Sequence, residues 1–228
     1  MHTTLAECVM RALKRGRMCG HAGVRGALLA AAGALVLAGC ATSGGGKAQD
    51  GNMLYDFGAS DHPVAATGAA PTVPALVVTD VTGNAVFDDE RMFYRLNYAD
   101  PLRARSYANS RWSSTPLQML TQRFKSRVAQ AGVKVLSATD AAAGVPLLRV
   151  DLDDFTHTFD SSTSSYGQVV LRASLFQGRT LLDQRTFRRR IDAGSVDAGG
   201  GARALAQATD AVAADIIGWL ATHNLRQR

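Results

Sequence analysis

Two hydrophobic periods divide the chain beyond residue 74. Residues 75–81 are a compact aliphatic run closed by Thr82, Gly83 and Asn84, which predicts a buried strand followed by a turn. Residues 92–96 and 102–107 predict two further strands, with Ala99, Asp100 and Pro101 turning the chain between them. The period then lengthens. Thr115 is a helix cap, Pro116 suits the first helical position and Gln118 stands where a capping box reaches back. Leu117, Leu120, Phe124 and Val128 follow at helical spacing, and Gly132 ends the run.

Beyond that helix, residues 133–136 predict a short strand. Residues 147–155 alternate, with Leu148, Val150 and Leu152 on one face and Arg149, Asp151 and Asp153 on the other, the pattern of a half-buried strand. Residues 169–177 and 180–191 flank Gly178 and Arg179 as a hairpin. The last helix covers residues 202–222, where Leu205, Val212, Ile216, Trp219 and Leu220 form one apolar stripe. Helices with one apolar stripe need a surface to cover, and the sheet supplies it. The expected fold is therefore α/β: a single domain whose mixed, partly antiparallel sheet carries two helices packed mainly on one face.

The N-terminal stretch has a different logic. Arg11, Lys14, Arg15, Arg17 and Arg25 precede an apolar run over residues 26–37, too short to span a bilayer but suited to a secretory signal. Translation starting at Met1, Met10 or Met18 leaves the same mature chain. Leu37, Ala38, Gly39 and Cys40 follow, the order in which a signal peptidase leaves a cysteine to be lipidated as the first mature residue. Residues 1–39 are thus expected to be a lipoprotein signal peptide, and residues 40–53 a lipidated Cys40 with a flexible tether containing Gly44, Gly45 and Gly46. The domain is expected over residues 54–222, with Leu54, Tyr55 and Phe57 opening it on a short strand, and residues 223–228 form a tail. Ala41 stands where an aspartate commonly signals inner-membrane retention, so the expected location is the outer membrane, facing the periplasm.

Cleavage changes the charge argument. The 25 basic and 19 acidic residues give +6, but five basic residues and Glu7 leave with residues 1–39, so 20 remain against 18, or +2. The hint of nucleic-acid binding leaves with them. Cys8 and Cys19 leave as well, and Cys40 is then the sole cysteine, which excludes an internal disulfide, a thiol nucleophile in the domain and a cysteine metal site.

Candidate chemistry is sparse. Motifs of serine hydrolases, zinc peptidases and phosphate loops do not occur. Asp151, Asp153, Asp154 and Asp160, with His157 just past the expected strand, are the one group that could hold a metal or perform acid–base work, and the solvated face of a sheet explains the same pattern. Under that second reading Asp151, Asp153 and His157 are surface groups. Arg188, Arg189 and Arg190 either meet lipid headgroups or protect an exposed edge strand. No catalytic residue, cofactor or metal is expected.

Asp89, Glu90 and Arg91, then Tyr94 and Arg95, Tyr107, Trp112, Pro116 and Leu120 resemble the central motif of the ABC-type transport auxiliary lipoprotein family. With the opening around Tyr55, the closing hairpin and the final helix, the resemblance covers residues 54–222. The stretch over residues 58–74 is longer and richer in alanine than that family's usual lead-in. The resemblance implies a periplasmic α/β domain tethered by lipid, partnering an inner-membrane ABC permease and ATPase and an MCE-domain protein, and no catalytic residues. A homo-oligomer is also expected, because exposed sheet edges permit self-assembly. The competing function is an envelope hydrolase or a free-standing ligand-binding lipoprotein. Tyr107 and Trp112 have a structural reading too, as rings closing the corner between the sheet and the first helix.

Overall fold

The computed structural model describes residues 52–59, 73–140, 144–223 and 225. The expected signal peptide, the alternative starts, Cys40, residues 41–51 of the tether and most of the 58–74 stretch lie outside the described residues; Met53, at the end of the expected tether, belongs to the first strand. Among the described residues, nine strands form one sheet: β1 (Met53–Tyr55), β2 (Ala75–Val78), β3 (Thr82–Gly83), β4 (Arg91–Leu96), β5 (Asp100–Trp112), β6 (Lys134–Leu136), β7 (Leu147–Phe159), β8 (Ser165–Gln177) and β9 (Thr180–Asp192). Helices α1 (Pro116–Gln130) and α2 (Ala198–Ala221) cover one face. The mixed α/β class read from the sequence is the one observed.

β7 organises the sheet. One edge pairs antiparallel with β8 along its whole length. The other is shared end to end by three parallel partners: β2 beside Leu147 and Leu148, β3 beside Asp151 and Leu152, and β4 beside His157 to Phe159. The sheet therefore forks. β6 lies outside β2, while β5 and then β1 lie outside β4 as a separate wing. β9 closes the far side by pairing antiparallel with β8, turning at Gly178, whose φ of 59° favours a residue without Cβ.

Several expected boundaries move. Thr82 and Gly83 form a two-residue strand rather than a turn, because the chain there runs close against β7: a Cβ at Gly83 would stand 3.0 Å from the Leu152 carbonyl oxygen. The turn expected at residues 99–101 sits at residues 97–99, and Asp100 already belongs to β5. β7 reaches Phe159 instead of residue 155 because a register shift between Leu152 and Asp154 inserts one extra residue. That insertion reverses the parity of the strand. Leu148, Val150 and Leu152 are buried before it, and Phe155, His157 and Phe159 after it.

α1 carries the expected start and stop chemistry. The Thr115 hydroxyl accepts the Gln118 N–H ahead of Pro116, and Gly132 adopts a φ of 84° past the end of α1. α2 begins four residues earlier than its apolar stripe suggests. Asp197 caps it by accepting the Gly200 N–H at 2.7 Å, and Gly199, Gly200 and Gly201 carry its first turn. These glycines let the helix backbone rest on the sheet. A Cβ at Gly201 would meet the His157 ring, and one at Gly167 of β8 would stand 2.6 Å from the Leu205 nitrogen. Leu120, Phe124 and Val128 of α1 and Leu205, Val212, Ile216 and Leu220 of α2 join Leu148, Val150, Leu171 and Leu175 in one core. Between the helices, Arg127 grips Asp210 with two hydrogen bonds of 2.9 and 2.7 Å, and Arg123 lies 3.2 Å from the same carboxylate.

Candidate functional site

The carboxylates singled out in the sequence do not converge. Asp151 accepts from the Thr82 hydroxyl at 2.5 Å and, with Asp153, faces Arg172 at 4.0 and 3.7 Å. Asp154 accepts from Thr156 and Gln168 at 2.6 and 2.7 Å, and Asp160, in the turn after β7, accepts from Arg190 at 2.6 Å. Asp151 and Asp153 thus share one arginine of β8, while Asp154 and Asp160 are engaged with other partners on β7, β8 and β9. Among the described residues, no group of three His, Cys, Asp or Glu side chains could hold a metal.

His157 departs furthest from expectation. It is fully buried on the helix-covered face, not a surface group, because the extra residue near Asp153 turned the strand over. Its Nδ1 lies 2.8 Å from the Tyr107 hydroxyl, and its ring is packed against Phe159 at 4.5 Å. Tyr94 packs tilted against Tyr107 at 4.6 Å and meets Phe159 edge-on at 5.8 Å. Tyr107 accordingly stands mid-strand in an aromatic knot and does not close the corner with α1. Trp112 does occupy that corner, buried against Phe57 and Phe155 at 6.0 and 5.5 Å.

Burial lowers the His157 pKa to about 4, against a weaker opposite pull from Asp197, and burial raises that of Tyr107. Both groups are neutral near pH 7, so a single hydrogen bond joins the Tyr107 hydroxyl and Nδ1, and Nε2 has no partner among the described residues. A neutral, enclosed pair of this kind holds its proton in place. The knot binds β5 to β7 across β4 and seats the first turn of α2.

What remains accessible is surface. A cleft of about 270 Å³ opens where Asp56, Phe57, Ser113, Met119, Gln122 and Arg123 meet, and the Arg123 guanidinium donates to the Phe57 carbonyl there. On the sheet face opposite the helices, a second cleft of about 210 Å³ lies among Val86, Phe87, Phe93, Arg95, Ala104 and Asp154. Arg189 reaches Asp215 of α2 at 2.6 Å, while Arg190 lies 3.4 Å over the Tyr166 ring and bonds Asp160. Two of the three consecutive arginines are thereby engaged within the fold, and β9 pairs only with β8 among the described residues. β5 is paired on its outer side by β1 only at Ser110 to Trp112. Sequence reasoning missed this long free edge because β5 is mostly exposed and so lacks apolar alternation.

A family model described as ABC-type transport auxiliary lipoprotein component matches residues 55–217. No curated protein sequence matches the chain. Among solved structures, protein XCC0632 from Xanthomonas campestris is 21% identical, with a TM-score of 0.59 over 68% of this chain and 88% of its own. An uncharacterized protein is 16% identical, with a TM-score of 0.56 over 73% of this chain and 97% of its own. At these identities the likeness is one of fold.

Proposed function

The chain belongs to the ABC-type transport auxiliary lipoprotein component family, and from that membership we propose that it is a non-enzymatic accessory of an ABC/MCE-type transport system moving phospholipid across a bacterial envelope. The family match over nearly the whole folded domain carries this reading. Cys40, lipidated after removal of residues 1–39, would hold the domain to the outer membrane on its periplasmic side. Its partners would be an MCE-domain protein and the inner-membrane permease and ATPase. Association is the physical means: the sheet face opposite the helices and the free edges of β5 and β9 supply surface for a partner or for copies of the chain.

Affinity purification from detergent-solubilised envelopes, read by mass spectrometry, tests the proposal. Enrichment of an MCE protein with its permease and ATPase is expected. Recovery of the domain with none of them, at wild-type abundance, would refute the transport role. Fractionation tests the anchor separately: Cys40→Ser should leave uncleaved precursor or move the protein out of the membrane fraction, whereas wild-type protein free in the periplasm would refute lipidation.

A further inference from the structure

The β4–β5 hairpin ends in side chains that serve no packing purpose. Leu102 is 89% exposed and Tyr98 54% exposed. The register explains how Leu102 is presented: pairing jumps from Arg95 opposite Ala104 to Leu96 opposite Asp100, so Pro101, Leu102 and Arg103 have no opposite residue and bulge outward. Arg95 holds the bulge by donating to the Pro101 carbonyl at 3.4 Å. Three arginines, Arg95, Arg103 and Arg105, against the single Asp100 make residues 95–105 net cationic. Apolar side chains ringed by arginines at a protruding tip suit the interface of an anionic bilayer.

Chain direction indicates which bilayer. β1 runs parallel to β5 with Met53 beside Ser110, so the chain enters the domain from the side of the hairpin tip. The twelve residues from Cys40 to Gly51 extend at most about 40 Å. The 13 residues of β5 cover about the same length, roughly 43 Å. A lipid on Cys40 and the tip of the hairpin can therefore reach one surface together. We propose that the β4–β5 tip, through Leu102 and Tyr98, is a second contact with the leaflet that holds the lipidated Cys40. The contact sets the orientation of the domain and leaves the β8–β9 turn, with Leu181 and Leu182, pointing away from the membrane. This inference rests on the reading of Cys40 as a lipid anchor.

The test uses the full lipidated chain reconstituted in vesicles of phosphatidylethanolamine and phosphatidylglycerol, some lipids bearing a nitroxide near the headgroup. Acylation blocks Cys40, so Leu102→Cys and, in a second protein, Leu181→Cys each provide a sole thiol for a polarity-sensitive fluorophore. Flotation with the vesicles reports the anchor, and quenching reports the contact. The label at 102 should lose roughly half of its emission or more to the lipid nitroxide, and the label at 181 almost none. A floating protein whose label at 102 is unquenched, or quenched no more than that at 181, would overturn the inference and leave the anchor standing. A label at 102 that shifts to the blue without quenching would reveal a protein surface on the tip and would also overturn it. Failure to float would remove the anchor reading and this contact with it.

Discussion

Adding one methyl group at Gly201 should destabilise the domain, although the same change at Gly218 of α2 should stabilise it. Glycine inside a helix is about 1 kcal/mol less favourable than alanine, so Gly218→Ala, where a Cβ meets nothing within 4 Å, should gain about 0.5–1 kcal/mol. At Gly201 the new Cβ would stand 2.5 Å from His157 Cγ and 2.8 Å from Cε1, and closer still to Nδ1. The ring cannot yield cheaply, because it is fully buried, bonded to Tyr107 and packed on Phe159. Overpacking of a tight core costs about 1–3 kcal/mol, and three ring atoms inside 3 Å put Gly201 in the upper half of that range, so after the propensity gain Gly201→Ala should lose a net of about 1–2 kcal/mol. Replacing the ring reverses the sign. In a His157→Ala background the same methyl enters the space the imidazole left, and Gly201→Ala should become neutral or favourable by up to about 1 kcal/mol. Urea unfolding of the mature chain carrying Cys40→Ser, followed by the fluorescence of Trp112 and Trp219, measures all of these differences. An equal cost for Gly201→Ala in both backgrounds would refute the contact between α2 and His157.

His157 also gives the domain a defined acid limb. Its native pKa of about 4 lies below its ordinary value of 6.5, so the unfolded chain takes up the proton first: stability is full above about pH 6.5, declines as the pH falls, and levels off below about 4. That gap corresponds to about 3 kcal/mol, and His157→Gln should remove the decline; an unchanged slope between those limits would contradict the burial of a neutral ring. Asp197, held below the usual carboxylate range chiefly by the Gly200 N–H, loses its contribution only at lower pH, as it falls from 3.8 through the native pKa, so the two limbs separate. Between the helices, Asp210→Ala should cost about 3 kcal/mol because the side chains of Arg123 and Arg127 are each only 5% exposed and share that carboxylate; a loss under about 1 kcal/mol, from urea midpoints at constant slope, would discount the pairing.

The elements that sequence displayed were those whose chemistry is local. Thr115 and Pro116 start α1 and Gly132 ends it through atoms within a few residues, and Gly178 marks the β8–β9 turn in the same way. His157 was illegible for a physical reason. Alternation carried forward from Leu148, Val150 and Leu152 places residue 157 outside, and only the pairing of β7 with β8 reveals the extra residue that brings it inside. The same long-range cause hid β3, which exists because Gly83 approaches Leu152. α2 was read short because its first turn is glycine, and what those glycines accommodate is the sheet beneath them. The candidate surfaces were legible only as composition. Arginines stand out in a sequence, but which of them is bonded, like Arg189, and which rings a protruding tip, like Arg103, depends on partners far along the chain.

The placement of β1 decides how the domain bears mechanical load. Any pull on the chain ahead of Asn52 enters through β1, whose three residues run alongside β5 so that their bonds are sheared together rather than unzipped singly. Behind them, Phe57 is wedged against Trp112, and its carbonyl is held by Arg123 of α1. Tension is thus divided between the β5 wing and a helix before it reaches β2 and the centre of the sheet. The first turn of rope to slip would be a short edge strand, and the core wound around β7 would stay taut behind it.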